Sequence, residues 1–141
     1  MKQYIMGILK RFFAVIAITI AATFAASAST QWYKATSYAY KYMNSYGAWT
    51  DWSSWITCNV SIKFEMDDDV IVIYSKKTQM YAVVDYEGQS SDGQGGTYVS
   101  YKVIDQDYDR GHIRLRVERN GNSQLYVDFA DVMWVYNVVR C

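Results

Sequence analysis

The sequence predicts an all-β domain, an antiparallel meander of about eight strands closed into a small barrel of lipocalin-like architecture or folded into a two-layer sandwich. Three observations carry this prediction. The chain holds no proline, and beyond its N-terminal segment few stretches repeat apolar residues at the helical period. Several stretches instead alternate apolar and polar residues with the period of two that marks half-buried strands. Turn-forming residues separate them at short intervals, so successive strands are expected to pair as antiparallel neighbours.

The N-terminal segment stands apart. Lys2, Lys10 and Arg11 precede residues 12–26, which are apolar or small apart from two threonines, and Ala26-Ser27-Ala28 follows as a small-x-small cleavage pattern. The apolar stretch is shorter than the ~20 residues a spanning helix needs. Residues 1–28 are therefore expected to be a cleaved signal peptide, leaving a secreted or periplasmic product with no stable membrane anchor. Removing 28 of the 141 residues leaves 113, enough for one core and too few for two, so residues 29–141 are expected to form a single domain. The leader takes three of the 14 basic residues and none of the 14 acidic ones, which leaves a net charge of −3. That mild acidity argues against nucleic acid as a partner, since phosphate binding needs a basic surface.

The strands follow in order. Residues 33–42 form the first. In the second, Ile56, Cys58, Val60, Ile62, Phe64 and Met66 share one face, with Thr57, Asn59, Ser61, Lys63 and Glu65 on the other. Residues 70–74, 79–86 and 97–105 are rich in valine, isoleucine and tyrosine, which suit a pleated surface. Ile113, Leu115 and Val117 alternate with His112, Arg114, Arg116 and Glu118, and Leu125, Val127 and Phe129 alternate with Gln124, Tyr126 and Asp128. Residues 132–138 close the series. The intervening turns include Asp67-Asp68-Asp69, where adjacent carboxylates favour solvent, residues 75–78 and 107–111, and Asn120-Gly121, a strong hairpin signal. Residues 88–96 read as a long glycine-rich loop. Closure into a barrel removes the two open edges such a meander would expose. A lipid-spanning barrel would need longer strands and an outward apolar band.

In an exported chain, Cys58 and Cys141 are expected to form a disulfide. It would close a loop of roughly eighty residues and contribute on the order of 4 kcal/mol in the chain-entropy account.

Trp49, Trp52 and Trp55 recur at every third residue and Cys58 follows. This run resembles the Trp-x-x-Trp-x-x-Trp-x-x-Cys opening of thrombospondin type 1 repeats, in which tryptophans stack in layers with arginines from a neighbouring strand. The resemblance covers residues 47–58 alone. The second cysteine that should follow closely is missing and the rest of the chain is a meander of many strands, so the family is not assigned. Large aromatics in a domain of this size are usually buried, which makes a barrel-end plug the simpler expectation. Exposed, the same tryptophans would stack on sugars or anchor a partner.

Asp105, Asp107 and Asp109 alternate ahead of Gly111 in the manner of a calcium loop, but Arg110 stands where the glycine belongs and Arg116 where the bidentate glutamate belongs. A polar turn is the expectation and calcium the alternative; no other cofactor is implied. His112, beside Arg114 and Arg116, is expected on a solvated face, with an anion-binding stripe as the alternative. No nucleophile, zinc or phosphate-loop constellation is readable. The function expected from these features is non-catalytic binding, with a protein, glycan or cell-envelope partner met across the surface. A small-ligand carrier or a carbohydrate-binding module using Trp49, Trp52 and Trp55 are the alternatives.

Overall fold

The computed structural model describes residues 30–141; the expected signal peptide and its cleavage motif lie outside the described residues. Eight strands run in order as β1 (Thr30–Tyr42), β2 (Ile56–Glu65), β3 (Val70–Tyr74), β4 (Gln79–Ser91), β5 (Thr97–Ile104), β6 (Arg110–Val117), β7 (Ser123–Asp128) and β8 (Val132–Arg140). Each pairs with the next, and β1 pairs with β8, so the meander closes into a barrel and the sandwich is excluded.

Closure sends every second residue inward. Val60, Ile62 and Phe64 of β2, Ile71 and Ile73 of β3, Tyr101 and Val103 of β5, Ile113 of β6, Leu125 and Val127 of β7 and Tyr136 and Val138 of β8 form one core. Outward positions carry Lys63, Glu65, Lys102, His112, Arg114, Arg116 and Asp128. An apolar interior with a charged exterior is the inverse of a lipid-spanning barrel's polarity. The interior is filled by rings as well as aliphatics: Phe64 meets Tyr33 and Tyr101 edge-on at 5.5 and 5.9 Å, and Phe129 stacks on Trp134 at 6.0 Å.

Bulges bend the longest strands. The register of β1 shifts between Ala35 and Ser37 against both neighbours, and that of β4 shifts twice against β5, between Val83 and Asp85 and between Tyr86 and Gly88. Each extra residue reverses which parity faces inward and tightens the local twist. Hence Tyr33 and Ala35 point inward before Thr36, and Tyr38 does so after it.

Two local expectations are corrected. The loop expected at 88–96 is shortened to 92–96: β4 runs through Ser91, and the turn closes with Asp92 N–H donating to the Gly96 carbonyl (3.1 Å) and the Asp92 carboxylate accepting from Gln94 and Gly96 N–H. Asp69 does not face solvent. It is fully buried in a left-handed conformation (φ 53°) after the 3-10 turn Met66–Asp68. Gly111 serves close packing: a β-carbon there would lie 2.6 Å from the Asp128 carbonyl oxygen and 2.8 Å from the Phe129 ring.

The disulfide is not formed, and both thiols are free. Cys58 faces inward beside the β1 bulge, whereas Cys141 N–H donates to the Trp32 carbonyl at the other end of the barrel (3.1 Å). About four residues of β1 separate these levels, roughly 13 Å at strand rise, well beyond the ~7 Å a disulfide spans between α-carbons. Two alkylations of the unreduced native protein are therefore expected by intact mass, fast at exposed Cys141 and slow at Cys58, whose thiol pKa is raised by burial. A mass showing no alkylation without prior reduction would contradict this arrangement.

Candidate functional site

The three tryptophans owe their placement to one irregularity. Regular β1–β2 pairing ends at Tyr38↔Ile56, while β1 continues to Tyr42 against Val132 of β8. Residues 49–55 return along the vacated edge of β1. Ser53 N–H donates to the Tyr40 carbonyl and Ser53 Oγ accepts from Tyr40 N–H (2.7 and 3.0 Å); Thr50 does the same with Tyr42 (2.8 and 3.0 Å). Thr50, Ser53 and Ile56 thus face Tyr42, Tyr40 and Tyr38, three residues passing for every two of β1. The three-residue spacing of the tryptophans becomes a strand period, with each tryptophan one residue ahead of a contact. The turn at the far end is held by Asn44, whose Oδ1 accepts from Tyr46 and Ala48 N–H.

This overturns the barrel-end plug. Trp52 and Trp55 are 40% and 50% exposed. Lys41 Nζ lies 4.9 Å from the Trp52 ring centre and 5.3 Å from that of Trp49. Trp52 stands beside β1 yet meets Tyr126 of β7 at 6.4 Å, so its ring crosses β1 and β8 over outward-pointing Ala39 and Val135, which are buried. Beyond it the Arg114 guanidinium sits 4.6 Å from Tyr126 and 5.2 Å from Tyr98. Ring and cation alternate across this outer face, Lys41 with Trp49 and Trp52 and Arg114 with Tyr126 and Tyr98. Trp49 and Trp52 are thereby engaged in packing, and Trp55 carries the largest exposed indole of the three.

The stripe His112, Arg114, Arg116 is neutralised rather than open to an anion. Arg114 Nε donates to Asp128 Oδ2 (2.6 Å), Arg116 pairs with Asp92 and Glu118 (3.2 and 3.1 Å), and His112 Nε2 lies 3.2 Å from Glu87. The Gln94 N–H above all holds the Asp92 carboxyl below its ordinary pKa against burial, with Gly96 N–H and Arg116 assisting. Nor are the three loop aspartates brought together. Asp105 Oδ1 accepts from Asp107 and Asp109 N–H, both at 2.9 Å, so its carboxylate caps the turn. Among the described residues no three His, Cys, Asp or Glu side chains converge as metal ligands.

A site the sequence reading missed lies at the barrel mouth on the same end. Tyr38 is register partner of Tyr136, and Tyr40 of Trp134. With Val132 they build one aromatic wall of an open cavity of about 470 Å³, faced by Cys58 and Val60 of β2, by Ser75 and Lys76 of the β3–β4 turn and by Gln79 at the start of β4. A polar relay crosses it: Tyr81 O–H donates to Gln79 Oε1 (2.5 Å), and Gln79 Nε2 donates to Ser75 Oγ (2.9 Å) and Tyr136 Oη (3.3 Å). Burial raises the Tyr136 phenol pKa. The Trp134 indole N–H is buried in this wall, and its interaction with the Tyr136 oxygen offsets part of that rise. Trp134 in turn stacks on Phe129 at 6.0 Å, and Phe129 meets Tyr81 at 6.2 Å, which ties this wall to the aromatic packing of the interior. The signal that marks this site in the sequence is the recurrence of aromatics at alternate positions, Tyr38-x-Tyr40 and Trp134-x-Tyr136, where two strands overrun their neighbours. Compared with family models, curated proteins and solved structures, the chain matches none of them.

Proposed function

We propose that this chain is an exported, non-catalytic binding protein that takes a small molecule at the mouth formed by β1 and β8. The observation that carries the reading is the block of Tyr38, Tyr40, Trp134 and Tyr136 facing the Gln79 relay across about 470 Å³. Ligand sites are concave, mostly apolar and set with a few polar groups, and barrel mouths are a frequent place for them. The barrel below the mouth is filled, so the ligand lies at the rim and is not enclosed along the axis. Export is supported by the basic start, the apolar stretch 12–26 and Ala26-Ser27-Ala28. A binding role fits the mouth chemistry, because burial raises the Cys58 thiol pKa and so disfavours the thiolate that a nucleophile would use.

The test is the mass of protein purified natively from the exported fraction, compared with its denatured mass. A small non-covalent addition is expected, and Tyr40→Ala should lose it. Tyr40 is 42% exposed, so truncation should leave the thermal midpoint within a few degrees while weakening the ligand about tenfold, the ~1.4 kcal/mol of one good aromatic contact. An addition unaffected by Tyr40→Ala would place the ligand elsewhere.

A second reading, a protein, glycan or cell-envelope partner met across the surface, is favoured by Trp55, half exposed beside exposed Ile56. It predicts loss of partner capture in Trp55→Ala with the small-molecule mass retained.

A further inference from the structure

We propose that the molecule taken at the mouth is an amphipathic aromatic anion, one or two rings bearing a carboxylate or comparable acid; this rests on the mouth being the binding site. The rings follow from the wall. Two register pairs, Tyr38 with Tyr136 and Tyr40 with Trp134, present four aromatic side chains over two strand positions, a surface suited to offset stacking on a flat body. The volume, about 470 Å³, accommodates two rings.

The charge follows from the opposite wall. Its lining includes one cation, Lys76, and no carboxylate. Ser75 and Gln79 are already hydrogen-bonded to one another and to Tyr136 and Tyr81. Among the described residues no acid lies within ion-pair distance of Lys76, in contrast to Arg114, Arg116 and His112 on the outer face. The unmatched charge of the mouth is therefore positive. Because Lys76 is exposed at the rim, an acid group meeting it stays partly hydrated and avoids the desolvation cost of a buried pair. The apolar part of the ligand then points inward over Val60 and Trp134.

Two fluorophores sharing one ring skeleton test this: 8-anilinonaphthalene-1-sulfonate and its neutral counterpart N-phenyl-1-naphthylamine, titrated into the folded protein well below its thermal midpoint. Saturable one-to-one binding is expected for both, with the anion about fivefold tighter at low salt, the scale of one exposed charge pair. Lys76→Met should abolish that preference by weakening the anion alone, and Tyr40→Ala should weaken both probes. Equal binding of the two probes, indifferent to Lys76→Met but sensitive to Tyr40→Ala, would overturn the anion and leave the mouth site standing. Absence of saturable binding, or binding indifferent to Tyr40→Ala, would overturn the mouth site as well.

Discussion

Phe64→Ala is expected to destabilise the domain by about 3–5 kcal/mol, the range for emptying a buried aromatic site. Phe64 is 3% exposed on β2 and lies between Tyr33 and Tyr101 with edge-on ring contacts. A closed barrel offers little room for collapse, because every strand around the void is hydrogen-bonded to a neighbour on each side. The cavity term therefore adds to the lost burial. Against the total of about 5–15 kcal/mol that domains hold, such a loss brings the chain near its threshold. Urea denaturation of Phe64→Ala alongside Trp55→Ala makes the comparison: the half-exposed Trp55 should cost under about 1 kcal/mol. Equal midpoints for the two variants would contradict the assignment of Phe64 to the interior and Trp55 to the rim.

Alkali is expected to unfold the protein steeply above pH 10. Burial foremost raises the phenol pKa of Tyr81 and of Tyr101 above the ordinary 10.0, with Tyr136 and Asp105 adding at Tyr81, and Tyr86 and Tyr33 at Tyr101. The folded chain therefore keeps two protons that the unfolded chain releases near pH 10. Their contribution is fully present below pH 10 and is lost as pH rises toward the native pKa values, at about 1.4 kcal/mol per group per pH unit. The two together cost about 3 kcal/mol at pH 11. Tyr33, Tyr126 and Tyr136, all raised by burial, act in the same direction. Urea midpoints measured from pH 8 to 11.5 should fall only above 10, and the double variant Tyr81→Phe, Tyr101→Phe should flatten the fall if it folds. Absorbance at 295 nm in the wild type gives an independent reading, since part of the tyrosine titration should coincide with unfolding. Midpoints constant to pH 11 would refute the burial of these phenols.

The candidate site was legible only in part. Trp49, Trp52 and Trp55 were visible as a repeat, but their exposure was not, because it depends on residues 49–55 running three for two against β1, and only the partner strand reveals that count. Tyr38, Tyr40, Trp134 and Tyr136 were visible as strand residues and nothing more. They become a wall because β1 and β8 pair across a sequence distance of about a hundred residues and overrun β2 together. The Cys58–Cys141 pairing failed for a related reason: export makes bridges possible in general, while strand register sets these two thiols at opposite ends.

By itself the sequence determined the all-β class, the strand count and order, the position of most turns and the inward face of β2 and β7, since a period of two and Asn, Asp and Gly at turns are local properties that need no knowledge of the rest of the chain. Tertiary structure alone decided closure over a sandwich, the parity switches at Thr36 and in β4, the neutralisation of the arginine stripe and the existence of the mouth. These depend on which strand lies beside which and in what register, and register is set by the summed burial of the whole barrel.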